Sequence, residues 1–430
     1  MKSAWDWYRR RSIGTQIFLG MAIGAIVGLA MGPKADTLKP VGDIFIRLLV
    51  MAAIPLIFFT LMSGLTSIRE AGFVGRLTAR ILVYYVVTSV IAFSIAIAVM
   101  DWMQPGAGFA LKGTVKSEIA QMPSLTTVIL DIFPSNVAQA FAKGDVTQIV
   151  VFGVFLGIAT LWLREPHRGR VVTFFETGRV LLVRLVGIII AFAPIGLGVL
   201  TAYSVGVYGS KIAGPLLKFI GAIYVSEILM FAVIMLLLYL VARVSPVFFL
   251  KRTYPLYLTT AGTTSSLASL AQALQIAEEK LHIPRNICGF TLPFGVQFTK
   301  DGTGIFLAAI LLFAAQSQGQ VLDIGTIVVI VLTGLLLATG SGGVPGGGLV
   351  VGLVFVKAFG LPVEIAVLIG GIYHIIDMGN TTLNVMNDMV ATVIASRLEG
   401  AIHVEHGRIA ADAHAEVVAS PATATVSTAV

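Results

Sequence analysis

Two stretches decide the architecture: TTAGTTSSLASL at Thr259–Leu270 and TGSGGVPGGGLV at Thr339–Val350. Each lies between apolar runs, and neither makes an unbroken spanning helix. Gly340, Gly342, Gly343, Pro345, Gly346, Gly347 and Gly348 would leave many backbone groups unpaired in lipid. Irregular backbone at membrane depth is tolerated only where protein buries it or where it lines a cavity. The simplest geometry is a re-entrant hairpin with its tip near the midplane. Two such hairpins, each followed by a helix, predict an inverted repeat with a binding site between the tips. A kinked spanning helix with a packing glycine cluster is the plainer alternative.

The rest of the chain supports a membrane setting. Of its 430 residues 57% are hydrophobic and 12% charged, about half the charged share of soluble domains, and mean hydropathy is +0.93. Apolar-rich runs long enough to cross a bilayer begin near Ile13, Ile44, Ile81, Ile149, Val180, Ile212, Ile305 and Ile365. They predict spans at roughly 12–31, 42–68, 77–103, 145–163, 175–203 and 212–243, with two further spans beyond residue 290. The first run has no small-residue cleavage site behind it, so no secretory signal is expected. The net charge of +7 is explained by its placement. Arg9–Arg11 precede the first span, and Arg69, Arg76 and Arg80 follow the second. Arg164, Arg168 and Arg170 follow the fourth; Arg243, Lys251 and Arg252 follow the sixth. By the positive-inside rule those loops and the N-terminus are cytoplasmic. Lys112 and Lys116, in a long external connection over 104–144, are the mild exception. Nucleic acid is not expected as a partner. A single cysteine, Cys288, excludes an intrachain disulfide and a cysteine metal cluster. GSGGVPGGG lacks the GK[ST] ending of a phosphate loop, and no nucleophile or acid/base constellation suggests an enzyme.

Chemistry concentrates in the last two spans. Span seven carries TLPFGVQFTKDGTG, Thr291–Gly304, with Lys300 and Asp301 inside the apolar segment. An ionisable residue there costs at least ~2.5 kcal/mol on insertion scales and marks a function or a partner. A Lys–Asp pair that only holds helices together is the plainer reading. Span eight carries IYHIIDMGNTTLNVMNDMVATVIASR, Ile372–Arg397. Asp377, Thr381, Asn384 and Asp388 share one helical face, with Asn380 at its border. Such a stripe faces the bundle interior or a wet site. Its oxygens suit small hard cations, and a free carboxylate suits an ammonium. An interhelical hydrogen-bond seam explains one such residue well and four together poorly. His374 reads as a packing histidine, and Glu227 in span six receives no role.

These residues carry a resemblance. Over about residues 12–398 the chain resembles the dicarboxylate/amino acid:cation symporters, the glutamate-transporter homologues and neutral amino acid carriers. TTSSLAS resembles the serine-rich first tip, LPFGVQFTKDGT the Asn-Met-Asp-Gly-Thr helix, GGVPGGG the second tip and DMGNTTLNVMND the eighth helix. YYVVTS at Tyr84–Ser89, FPSNVAQAFAKGD at Phe133–Asp145 and APIGLGVL at Ala193–Leu200 support it. The resemblance implies an all-α polytopic membrane protein with eight transmembrane helices and two re-entrant hairpins, working as an elevator-type inverted-repeat transporter. It implies a cytoplasmic N-terminus at 1–11, scaffold helices 1–2 at 12–68 and transport helix 3 at 77–103. The external loop and scaffold helices 4–5 follow at 104–203, then the transport domain at 212–398. A disordered cytoplasmic tail is expected at 399–430. It further implies a homotrimer in a bacterial inner membrane, a small amino acid as substrate and sodium, or protons, as the coupling ion, with no organic cofactor.

Carried over residue by residue, the resemblance implies a substrate site at Ser265, Ser266, Thr303, Val344, Gly348, Asp377, Asn380, Thr381 and Asn384. Asp377 would meet a substrate amine and Asn384 its α-carboxylate. One cation site would comprise Asp388, Asn384, Thr299 and Gly295; a deeper one Asp301, Tyr85, Thr88 and Ser89, with Thr299 replacing an asparagine. Asn380 stands where acidic amino acid carriers have an arginine, and a second arginine is missing at Thr263 and Met378. An asparagine offers no bidentate cationic fork. The amine partner without the carboxylate clamp predicts a neutral amino acid. Lys300 replaces a methionine beside the gate-linked sodium site, so it is expected to displace that ion, with a proton cycle, unless its head group snorkels away. Two other readings stand beside this one. In the first, an acidic amino acid or C4-dicarboxylate is carried with Lys300 as anion partner. In the second, the chain is a non-transporting receptor or channel.

Overall fold

The computed structural model describes residues 13–66, 73–109, 133–143, 146–209, 213–341, 343 and 346–410. Among them the chain is almost wholly helical. The first half runs α1 (Ile13–Met31), α2 (Lys39–Thr66), α3 (Phe73–Met103), α4 (Val137–Lys143), α5 (Val146–Leu161), α6 (His167–Ile190) and α7 (Ala193–Tyr208). The second runs α8 (Ala213–Leu237), α9 (Pro246–Thr263), α10 (Ser266–Glu279), α11 (Arg285–Phe298), α12 (Asp301–Ser317), α13 (Ile324–Ala338), α14 (Gly347–Ala358), α15 (Val363–Gly370) and α16 (Tyr373–Leu398).

The helices pack in two groups. In one, α1 lies along α7, and α2 lies against α5, α6 and α7. Gly20, Gly24 and Gly28 recur every four residues on α1, and the backbone carbonyls of Pro194, Gly198 and Ala202 press against them. Small residues at this spacing let helices approach where lipid supplies no hydrophobic drive. In the other group α3, α8, α11, α12, α14 and α16 pack together, with α9 and α10 on α16. Helix α12 is its axis: every residue from Asp301 to Ala315 is buried.

Helix α3 shows how one sequence serves lipid and site. Val83, Val86, Val87 and Val90 form an exposed stripe, 40–64% accessible, at helical spacing. The opposite face buries Tyr85, Thr88, Ser89, Ala92 and Phe93. An exposed valine stripe is expected where the solvent is hydrocarbon.

Several sequence expectations are modified. Span five is not one helix: α6 and α7 meet at 53°, because Pro194 at the start of α7 cannot continue the hydrogen-bond ladder of α6. Among the described residues five helices are long and apolar enough to cross a bilayer, or six counting that bent pair, so length and hydropathy alone do not recover the eight expected. Helix α16 fails such a test because its site-facing amides and carboxylates lower its hydropathy, and protein rather than lipid covers it. Span seven breaks at Thr299–Lys300 into α11 and α12. The expected disordered tail begins too early: Val404–Glu405 and Arg408–Ile409 pair as an antiparallel hairpin, and Gly407 O accepts a 2.8 Å bond from Ser245 N. Residues 1–11 and 411–430 lie outside the described residues.

Candidate functional site

Both broken stretches form helical hairpins. At the first tip α9 ends on Thr264 in the left-handed region (φ 47°). Ser265 caps α10, its Oγ accepting from Ala268 N at 3.2 Å. At the second, α13 gives way to a short 3-10 turn and α14 starts after Gly346. Gly343 (φ 67°) and Gly346 (φ 76°) take backbone conformations that L side chains resist. The tips touch: Ser265 Oγ donates to Gly343 O at 3.1 Å, and Leu267 N to the same carbonyl at 3.2 Å. Val344, expected as a gate residue, lies outside the described residues.

Beneath the tips runs the stripe of α16. Asp377 accepts from Gly346 N (3.0 Å), Tyr373 Oη (3.1 Å) and Thr381 Oγ1 (3.4 Å). The second tip is thereby tied to the residue expected to meet an amine. Gly348 leaves room for that tyrosine, since a Cβ there would collide with Tyr373 Oη. Asn384 Oδ1 accepts from Gly302 N (2.8 Å), and its Nδ2 donates to Thr303 Oγ1 (3.4 Å). Asp377, Asn380, Thr381, Asn384, Thr303, Ser265 and Ser266 are all buried. The expected substrate residues that the structure describes thus converge on one place.

The α11–α12 break supplies the charge. The last-turn carbonyls of helix α11 carry partial negative charge. Lys300 folds back and its Nζ donates to Val296 O at 2.8 Å. It is 2% exposed, the only buried lysine or arginine among the described residues. It therefore does not snorkel. Asp388 and Asp377 are the carboxylates within its electrostatic reach.

Two oxygen clusters lie beside it, one around Asp388 and one around Asp301. Tyr85 reaches both: its Oη donates to Asp388 Oδ1 (2.7 Å), while its backbone carbonyl accepts from Thr88 Oγ1 (3.2 Å) in the deeper cluster. Gly295 packs on the same carboxylate, and a Cβ there would overlap it. Thr299 is buried beside the break, its Oγ1 without a partner. In the deeper cluster Ser89 Oγ donates to Asp301 Oδ1 (2.6 Å). Asn387 Nδ2 donates to Asp301 Oδ2 (2.6 Å) and Thr88 Oγ1 (3.1 Å), while Tyr84 Oη donates to Asn387 Oδ1 (2.6 Å). Asn387 and Tyr84 were missed because they lie off the stripe and pair across 303 residues; their polarity inside apolar helices was the available signal. Carboxylate, hydroxyl, amide and carbonyl oxygens suit a hard monovalent cation.

The last element is Asn380. Its amide, oriented as its neighbours require, donates to Glu227 Oε1 and to Gly302 O, both at 2.8 Å. Glu227, given no role from sequence, is buried at the border of the site.

Comparison with known proteins agrees with this geometry. The profile of the sodium:dicarboxylate symporter family matches residues 13–398. The chain is 28% identical over 399 residues to the proton/glutamate-aspartate symporter of Bacillus subtilis (strain 168), covering 91% of this chain and 96% of that one. It is 29% identical to the proton/glutamate-aspartate symporter of Escherichia coli (strain K12), covering 90% and 93%. It is 31% identical to C4-dicarboxylate transport protein 2 of Bradyrhizobium diazoefficiens, covering 94% and 92%. These names are of carriers of acidic substrates, and they do not support the neutral amino acid expected from Asn380. The chain belongs to the sodium:dicarboxylate symporter family and is a membrane transporter, not an enzyme.

Proposed function

We propose that this protein is a cation symporter for an acidic amino acid or C4-dicarboxylate, with Lys300 as partner of the substrate anion. The observation that carries this reading is the buried ammonium of Lys300, 2.8 Å from Val296 O and within electrostatic reach of Asp377 and Asp388. It supplies in the site a positive charge that the helix-eight asparagine cannot. Asp377, free to receive an ammonium once Gly346 swings away, favours a substrate that carries an amine, such as aspartate. The Asp388 and Asp301 clusters would hold the coupling cations, sodium or proton. In keeping with the resemblance, the reading includes a homotrimer in a bacterial inner membrane, both termini cytoplasmic, and an elevator movement of the α3, α8–α16 group against the α1, α2, α5–α7 group.

One observation favours a second reading, a small neutral amino acid. Both amide hydrogens of Asn380 are committed to protein acceptors, so the side chain as it stands offers a substrate carboxylate no donor. Uptake of labelled substrate into proteoliposomes under a sodium or proton gradient separates the two. Aspartate uptake blocked by succinate or glutamate and indifferent to serine and alanine is expected. Serine uptake blocked by alanine and indifferent to aspartate would overturn the acidic reading.

A further inference from the structure

The two carboxylate clusters differ in what they leave open. Around Asp388 the donor found among the described residues is Tyr85 Oη, on Oδ1. Thr299 Oγ1, near the same tyrosine, is buried without a partner. An orphaned hydroxyl beside a buried carboxylate leaves oxygens for an ion to use. Asp301 is different: it is fully buried and both its oxygens hold protein donors. Ser89 Oγ donates to Oδ1 and Asn387 Nδ2 to Oδ2, each at 2.6 Å. The other amide hydrogen of Asn387 goes to Thr88 Oγ1 at 3.1 Å, and Thr88 spends its own proton on Tyr85 O at 3.2 Å. Asn387 and Thr88 are fully buried. One turn further along α3 and α12 the ring of Phe93 packs on Gly304 and walls the cluster off. The far end of the amide fixes its orientation, because Tyr84 Oη donates to Asn387 Oδ1 at 2.6 Å. Turned over, the amide would set its oxygen against the Asp301 carboxylate and against a threonine hydroxyl whose proton is already committed.

We infer that Asn387 closes the deeper cluster to metal ions, its amide NH2 standing where a coupling cation would, so that of the two clusters only the one around Asp388 takes a metal ion. A cation needs lone pairs aimed at it. An amide NH2 is donor-only, and its hydrogens carry partial positive charge that repels an ion. The NH2 gives Asp301 the hydrogen bonds that a buried carboxylate requires and leaves its charge in place. An ion that entered would have to displace a charge-assisted bond and would strand a buried Nδ2 without an acceptor, which costs more than the bond itself returns. Asn387 therefore sets how many ions are coupled without touching the substrate: its partners lie on α3 and α12, away from the hairpin tips. This inference narrows the cation part of the proposed reading from two clusters to one. It rests on cation coupling alone and not on which substrate is carried.

The test counts sodium ions. L-aspartate binding to the full chain is titrated over sodium at fixed pH, and the ions moved per substrate are read from reversal potentials in proteoliposomes. With one coupling sodium, apparent affinity rises about tenfold per tenfold increase in sodium below saturation; with two it rises about a hundredfold. The wild type should follow the first law. Asn387→Ala removes the amide and uncovers Asp301 Oδ2 and Thr88 Oγ1. It should follow the second law and carry an additional sodium per substrate. A wild type that follows the steeper law overturns the proposal, and so does one whose binding ignores sodium. An Asn387→Ala variant that keeps the wild-type slope also overturns it, since that is what a purely structural amide would give. Should the chain bind serine and ignore aspartate, the acidic reading fails, and the same sodium count made with serine still decides the role of Asn387. Should Asn387→Ala fail to insert, the wild-type count decides it alone.

Discussion

Replacing Lys300 by methionine tests the charge on which the substrate reading depends. The side chains are of similar length, so the apolar stem is kept and the ammonium lost. Two consequences follow from the geometry. The first concerns the substrate. An ammonium about 5 Å from a carboxylate contributes roughly 3 kcal/mol at the effective dielectric of such sites, so aspartate affinity should fall about a hundredfold. Serine, whose α-carboxylate is expected at Asn384, should lose far less. The second concerns the cation. Val296 O loses a 2.8 Å charge-assisted bond, and Asp388 and Asp377 lose a buried cation within their electrostatic reach. A carbonyl at a helix C-terminus beside two uncompensated carboxylates is a place for sodium. The variant should therefore bind substrate with a steeper sodium dependence than the wild type. The assay is aspartate and serine binding over a sodium titration, followed by ion-to-substrate flux ratios in proteoliposomes. Aspartate affinity within about threefold of the wild type, a shift of well under 1 kcal/mol, would refute Lys300 as anion partner. An unchanged sodium stoichiometry would refute its standing in for an ion.

Three further substitutions probe separate parts. Gly348→Ala would push Tyr373 Oη off Asp377 Oδ1, a 3.1 Å bond to a charged group worth about 1.5–3 kcal/mol. Aspartate binding should weaken roughly tenfold or more and succinate, which has no amine, much less; equal losses would contradict an amine partner at Asp377. Gly295→Ala would drive the Asp388 carboxylate from its place and break the 2.7 Å bond from Tyr85. The cation concentration for half-maximal substrate binding should rise about tenfold, and an unaltered titration would remove Asp388 from the cation site. Asp323 caps α13, and the N–H of Thr326 holds its carboxyl below the usual carboxylate range. A depressed folded value means this stabilisation is present above the unfolded value and is lost as pH falls through the folded one. Asp323→Ala should thus lower Tm near neutrality, with the gap to the wild type closing in acid; a gap that persists there would show the cap is not electrostatic.

The hairpins were legible because the signal was local. A cluster of Gly, Ser and Thr inside apolar sequence breaks a helix wherever the chain goes, and Thr264, Ser265, Gly343 and Gly346 sit at those breaks. The α16 stripe was legible for the same reason, since helical spacing alone puts Asp377, Thr381, Asn384 and Asp388 together. Hydropathy was less informative about span number. It reports contact with lipid, and α16 is covered by protein, whereas α3 keeps an exposed valine face. The Tyr85–Asp388 bond and the role of Asn387 were missed because they depend on how α3 crosses α12 and α16. No local period encodes that crossing.

Asn380 shows a different failure. Read alone, it is an arginine taken away, and the subtraction predicts a substrate without a side-chain carboxylate. The structure shows a pair instead: the amide faces Glu227, 153 positions earlier in the chain, and Gly302 opens the gap that lets them meet. An arginine at this position would lie against a glutamate, its charge spent inside the protein, unless the glutamate were neutralised first. Asparagine at the same place keeps both amide hydrogens on protein acceptors, Glu227 and the Gly302 carbonyl. What position 380 offers a carboxylate is therefore set by its protein partners as much as by its own identity. On the acidic-substrate reading, the positive charge that an anion needs comes instead from Lys300, 80 positions away and on another helix.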